Sequence, residues 1–188
     1  MEQVFERALV EHCAPTLAGV KAANLFTVRD TEPEEVRRWV ARWDAVRMPL
    51  GIRMHILRER LQTGCCVIYV YRPRWLERIL ADQGNWFFLR GIDYRDRDLD
   101  GALSRLSARF AAEGDFPHAV GVFLGYPLED VVGFIRHQGR NFTCRGYWKS
   151  YGDPTAAQKR FDRYRACTRA YKRMYGNGTP ILGLVIAA

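Results

Sequence analysis

Ile52-Arg53-Met54-His55-Ile56-Leu57 and Cys65-Cys66-Val67-Ile68-Tyr69-Val70-Tyr71 are two apolar runs joined by a polar stretch that ends in Gly64. Short apolar runs bounded by turn residues read as the two strands of a β-hairpin. A helix from Ile52 to Leu61 also fits the first run, because Met54, Leu57 and Leu61 recur at helical spacing. The hairpin reading puts a sheet in the middle of the chain and makes the flanking segments its cover.

Working outward toward the N-terminus, Val4, Phe5, Ala8, Leu9 and His12 form one apolar stripe and predict a helix over residues 2–11. Pro15 is expected to end it, which leaves Cys13 at or just past its C-terminus. Residues 24–28 read as a short strand. Thr31 with Glu34 three residues on reads as a capping box. It opens a helix that buries Val36, Trp39, Val40, Trp43 and Val46 and is closed by Pro49 and Gly51.

Toward the C-terminus, Pro73 opens a helix containing Trp75, Leu76, Ile79 and Leu80, and the Asp/Arg-rich stretch 93–100 reads as a solvated loop. Residues 99–112 are helical. Pro117 precedes a predicted strand over 119–124, and Gly125-Tyr126-Pro127 turns the chain into a helix ended by Gly139. Residues 147–151 read as another strand. Asp153-Pro154 caps a last helix over 155–175, and the apolar tail is a final strand or a packed segment. This alternation predicts one α/β or α+β domain over residues 1–188, with helices on a mixed sheet of about five strands. The role of the tail, residues 179–188, is left open.

Composition narrows the function classes. The chain has 188 residues, 48% hydrophobic and 27% charged, with a net charge of +8. It is long enough for a core without disulfide or metal staples, and too apolar for a disordered tail. It has no long uncharged apolar run, so no membrane span is expected. Five cysteines, an odd number, do not suit a disulfide scaffold, and the N-terminus lacks the form of a signal peptide. The expectation is a basic, cytoplasmic protein with free thiols. Lysine occurs only at positions 21, 149, 159 and 172, so arginine dominates the cations.

Four segments carry a resemblance: His12-Cys13-Ala14-Pro15-Thr16-Leu17-Ala18-Gly19; Phe116-Pro117-His118 with Gly121-Val122-Phe123-Leu124-Gly125-Tyr126-Pro127-Leu128-Glu129-Asp130-Val131; Asn141-Phe142-Thr143-Cys144; and Gly146-Tyr147-Trp148-Lys149-Ser150-Tyr151. Together they resemble a family of small proteins from anaerobic bacteria, filed as a domain of unknown function. The resemblance spans residues 12 to about 167 and leaves out the tail after Gly178. It implies a stand-alone cytoplasmic domain and supplies no activity.

The residues themselves suggest chemistry. Cys13 is a candidate nucleophile or redox thiol, with His12 or His118 as base. A helix C-terminus disfavours thiolate, so a nearby cation such as Lys21 is required; otherwise Cys13 is a small buried residue. His12 on an apolar stripe reads as a core histidine. His118 reads as a general base or metal ligand, or as the end of the Pro117 turn. Gly125, Tyr126 and Asp130 are candidate ligand-binding residues, because a strand-to-helix turn is where α/β sheets place ligands. At a strand's rise of about 3.3 Å per residue, Ala119 and Gly125 lie roughly 20 Å apart. His118 and Asp130 are then expected not to share a site.

A mixed metal site from Cys13, Cys144 and Cys167 with a histidine is conceivable in composition, but no C-x-x-C or H-x-x-x-H spacing exists, and no metal ligands or cofactor are assigned. Seven cations oppose only Asp162 between residues 155 and 175. Arg160, Arg163, Arg169 and Arg173 therefore offer a surface for an acidic protein or nucleic acid, or simply a solvated face. Two functions follow. One is the handling of a small molecule or cofactor through a thiol-dependent site at Cys13 with the 125–130 turn or His118. The alternative is a non-enzymatic binding module that docks an acidic partner on its last helix. Pro15, Gly19, Gly125, Tyr126 and Pro127 are residue types that shape backbones around pockets, and they favour the first.

Overall fold

The computed structural model describes residues 2–47, 50–60, 63–112 and 117–187. Pro49, Leu61, Phe116 and the side chain of Val46 lie outside the described residues. The hairpin is present. Strands β2 (Arg53–Arg60) and β3 (Cys65–Tyr71) pair antiparallel, with Met54 opposite Val70 and Ile56 opposite Ile68. Strand β1 (Ala23–Val28) pairs antiparallel with the other edge of β3, giving the order β1-β3-β2. β-branched and aromatic side chains in β3 suit a pleated surface covered on both sides, which is why this run is strand and not helix.

Both faces of the sheet are covered. Cys66, Ile68 and Val70 pack into a core with helices α1 (Glu2–Leu17) and α2 (Pro33–Arg47), the end of the last helix, and a 3-10 turn at Ile181–Leu184. Val67, Tyr69 and Tyr71 face a second core built by α3 (Pro73–Ala81), α4 (Gln83–Gly91), α5 (Leu99–Ala112), α6 (Val120–Phe123) and α7 (Leu128–Arg136). All seven residues of β3 are therefore buried, and its sequence is a continuous apolar run where a half-covered strand alternates. A register shift after Ile56 makes Leu57 an extra, buried residue in β2. The Tyr69 hydroxyl donates to the Phe123 carbonyl at 2.6 Å and ties the central strand to α6.

The architecture is α+β, and several elements differ from expectation. The five strands do not form one mixed sheet. Three make the antiparallel sheet, and β4 (Cys144–Arg145) with β5 (Lys149–Ser150) makes a separate small hairpin. Only two residues of the predicted strand 147–151 are strand. Helix α1 does not stop at Pro15 but runs to Leu17. Pro15 forfeits one backbone bond, the one to the Glu11 carbonyl, and the carbonyls at the end of the helix need donors from elsewhere. The buried Arg72 guanidinium supplies them, donating to the carbonyls of Thr16 (2.8 Å), Leu17 (2.9 Å) and Ile186 (2.7 Å).

The capping box is absent, because α2 begins at Pro33, the Thr31 hydroxyl donates to the Arg29 carbonyl, and Glu34 pairs with Arg37. Residues 83–91, which carry no clear helical signal in the sequence, form helix α4, capped by the Asp82 carboxylate accepting from Asn85 N–H. The tail forms the 3-10 turn and packs against α1, with the Ile186 N–H donating to the Leu17 carbonyl.

The largest difference concerns residues 119–124. They form a buried helical turn, not a strand, closed by Val120 N–H to Pro117 O and Gly121 N–H to His118 O. An apolar run bounded by turns fits a buried strand and a buried helix equally, since neither shows amphipathic periodicity. The helical rise of about 1.5 Å per residue contracts the segment to less than half its strand length. Helix α8 (Pro154–Gly176) follows the β4-β5 hairpin as expected, with the Asp153 carboxylate accepting from Thr155 N–H at 2.8 Å.

Candidate functional site

Contraction of residues 119–124 brings the two ends of the segment to one place. His118, Tyr126 and Asp130 line a single cavity of about 330 Å³ between the start of α6, helix α7 and the β4-β5 hairpin. The expected separation of His118 from Asp130 is therefore corrected. Val120, Val131 and Phe134 make the apolar wall, Trp148 the opposite wall, and Arg145 and Lys149 flank it.

Asp130 organises this site from within. It is buried in the first turn of α7, and both carboxylate oxygens are occupied by the hairpin. One accepts from Tyr151 N–H (2.6 Å) and Gly152 N–H (3.1 Å), the other from Trp148 Nε1–H (2.6 Å), and the Ser150 hydroxyl reaches both (3.0 and 3.1 Å). A carboxylate so satisfied fastens the hairpin and leaves no lone pair aimed at a ligand. Trp148 is fixed on two further sides. It stacks on Tyr126 at 4.5 Å and 23° and meets Phe161 of α8 edge-on at 4.6 Å. Gly133 makes the seat possible, since a side chain there would collide with the Tyr151 ring.

The polar groups left for a ligand are few. His118 is exposed, its ring 5.3 Å from Phe134, and it makes no hydrogen bond with the described residues. Arg145 is exposed and has no partner among the described residues. Lys149 donates to the Gly139 carbonyl at 2.7 Å and lies over the Phe134 and Phe142 rings. Burial pushes the Tyr126 phenol up to about 12, so it is a hydrogen-bond donor at neutral pH. The site can hold a flat apolar body against aromatic walls and meet a negative charge at its rim.

Gly125 does not line this cavity. It has φ +72° and stands in a second depression, of about 420 Å³, with Lys21, Arg160 and Tyr164. A Cβ on Gly125 would come within 3.2 Å of Ala22 Cβ, so the turn is both left-handed and closely packed. Tyr126 lines both depressions.

Cys13 takes part in neither. It lies within α1, wholly buried in the core on the other face of the sheet, and burial pushes its thiol far up. Lys21 is indeed the nearby cation, but it too is buried and is pulled down to about 7, so it does not hold a thiolate. The structure does not unite Cys13 with His118 as nucleophile and base. His12 is exposed and stacks on Phe26, contrary to the core reading.

Among the described residues no group of three or more His, Cys, Asp or Glu side chains is placed to hold a metal ion. The basic residues of α8 spread around its solvent side. Arg165 pairs with Asp162 and Lys172 with Glu11, while Arg163, Arg169 and Arg173 are exposed and Arg160 borders the second depression.

Of the residues singled out in the sequence, His118, Tyr126 and Asp130 line this cavity; Phe134, Arg145 and Lys149, which also line it, were not among them. No local spacing connects residue 130 with residues 148–152; the link is a tertiary one.

Among the described residues no helix is long and apolar enough to cross a membrane. No curated protein and no solved structure matches the chain. The features that shape the cavity all fall within one family match that covers residues 9–185, and the chain thus belongs to the family described as Protein of unknown function (DUF3793).

Proposed function

We propose that this protein binds a small, flat, negatively charged organic molecule in the cavity between α7 and the β4-β5 hairpin. The carrying observation is a cavity of about 330 Å³ walled by aromatic and aliphatic side chains, with His118 and Arg145 uncommitted at its edge. Ligand sites are typically concave and apolar, with a few polar groups that fix orientation, and this volume is at their lower end. Phe134 and the stacked Trp148–Tyr126 pair supply aromatic surface for a one- or two-ring body. Arg145 supplies a planar, permanently charged donor for a carboxylate or phosphate. His118, exposed at the rim and without a hydrogen-bond partner among the described residues, supplies an imidazole that can donate to or accept from the ligand. The reading does not use Cys13.

The test is calorimetric titration with benzoate, nicotinate and indole-3-acetate, each against its uncharged amide. Binding of an acid in preference to its amide is expected, with a loss of about tenfold in Arg145→Ala, equal to about 1.4 kcal/mol. A Trp148→Leu variant should bind none of them. If acid and amide bind alike, or Trp148→Leu binds as well as wild type, the proposal fails.

A further inference from the structure

The second depression contains a group the cavity reading leaves unused. Lys21 is buried, with only 3% of its surface exposed, yet it borders the depression. Its Nζ donates to the Ala23 carbonyl and stands 5.3 Å from the centre of the Tyr126 ring. Among the described residues it has no carboxylate partner. A buried lysine without a counter-ion is costly unless it is neutral, and a neutral amine is a nucleophile. Arg160 borders the same depression, acts electrostatically on the neighbouring Tyr164, and makes no hydrogen bond or ion pair with a described residue.

We propose that Lys21 forms an imine with a small 2-oxo acid, whose carboxylate is held by Arg160. The Nζ lone pair adds to the carbonyl carbon, and the C=O π pair moves to oxygen. The two Nζ protons leave with that oxygen as water, and a C=N bond remains. Tyr126 and Tyr164 line the same depression, and their phenols, both held protonated by burial, are the donors available to the carbonyl oxygen.

The charge environment favours the neutral amine. Burial draws Lys21 down to about 7. The groups around it are Cys13 from α1, a neutral thiol; Asp82, whose carboxylate accepts from Asn85 N–H; the two tyrosines; and Arg160. The proposal is independent of the ligand proposed for the neighbouring cavity and is tested separately.

The experiment is reductive trapping of the folded, full-length protein with glyoxylate and cyanoborohydride, followed by peptide mapping. Only four lysines compete. Lys21 is expected to become carboxymethylated ahead of the exposed Lys159 and Lys172, saturably, with a midpoint near pH 7. Arg160→Ala is expected to raise the glyoxylate concentration for half-saturation about tenfold, the usual order for one charge-assisted contact. Trapping with acetaldehyde, which has no carboxylate, should be unchanged in that variant. Labelling of Lys159 and Lys172 with Lys21 untouched, labelling of Lys21 only in urea, or an Arg160→Ala effect equal for both aldehydes would each overturn the proposal.

Discussion

Lys21 shows how a single residue can tune the whole chain's response to pH. In the folded protein it is neutral above about pH 7, whereas in the unfolded chain it stays cationic up to about 10.5. Over that interval the unfolded state binds more protons, so stability rises with pH. Cys13 acts in the opposite sense. Its thiol stays protonated when folded but ionises near 9 when unfolded, which lowers stability from there upward. A net rise is therefore expected between about pH 7 and 9. Urea unfolding across that interval checks it. Lys21→Met should lose the rise, and a variant whose stability runs parallel to wild type would refute the assignment.

Asp130 is the second decisive residue. Asp130→Asn keeps one acceptor and turns an amide toward the N–H groups of Tyr151 and Gly152 or the indole N–H of Trp148. Leaving buried donors unmet costs about 1–3 kcal/mol each. A destabilisation of roughly 2–4 kcal/mol is expected on that basis. The indole N–H resonance of Trp148 should shift toward its position in an exposed tryptophan. An unmoved resonance would mean that the hairpin is held by other contacts.

At the scale of elements, the cavity exists because three pieces dock rather than because any one is unusual. Helix α6 draws His118 toward α7, α7 presents Asp130, and the β4-β5 hairpin closes over both. The hairpin is too short to be stable by itself. Its order is borrowed from Asp130 and from the aromatic contacts of Trp148 with Tyr126 and Phe161. The Tyr151 ring lies directly on Gly133. Gly133→Ala should push the hairpin outward at a cost of about 1–3 kcal/mol, the usual range for overpacking. Amide exchange in residues 144–151 should then quicken while the three-stranded sheet stays protected. Uniform loosening of the whole protein would contradict this modular view.

For the whole molecule, the three-stranded sheet works as a partition. The core on one face holds α1, α2 and the tail; the core on the other holds α3 to α7 and borders the cavity. Arg72, at the end of β3, ties the first of these together by donating to the ends of α1 and to the tail at Ile186. Replacing it with Met removes three hydrogen bonds; the Thr16 and Leu17 carbonyls keep Gly19 N–H and Ile186 N–H, and the Ile186 carbonyl loses its side-chain donor, at an expected cost of about 1–3 kcal/mol. The Ile186 N–H, bonded to the Leu17 carbonyl, should lose its exchange protection first. Retention of that protection in Arg72→Met would show that the tail is held by its apolar contacts alone.

The amino-acid pattern alone determined strand β3, the first strand, and the helices α3, α5, α7 and α8, because each is written in its own local periodicity, proline position or capping residue; it favoured the hairpin but left a helix open for the run that became β2. His118, Tyr126 and Asp130 stood out as polar or backbone-shaping types around the turn between α6 and α7, but that they border one cavity did not, because the segment between them was expected to be extended. Tertiary structure alone decided that residues 119–124 coil rather than extend, since an apolar run buried on every side carries no periodicity to choose between the two. It also decided that helix α1 runs past Pro15 to Leu17, where the last carbonyls are met by Arg72, 55 residues beyond Leu17 in sequence. The same holds for the site. Asp130 meets Trp148, and Lys21 meets Tyr126, across distances in sequence over which no local spacing operates; packing brings them together, and burial then sets what each can do.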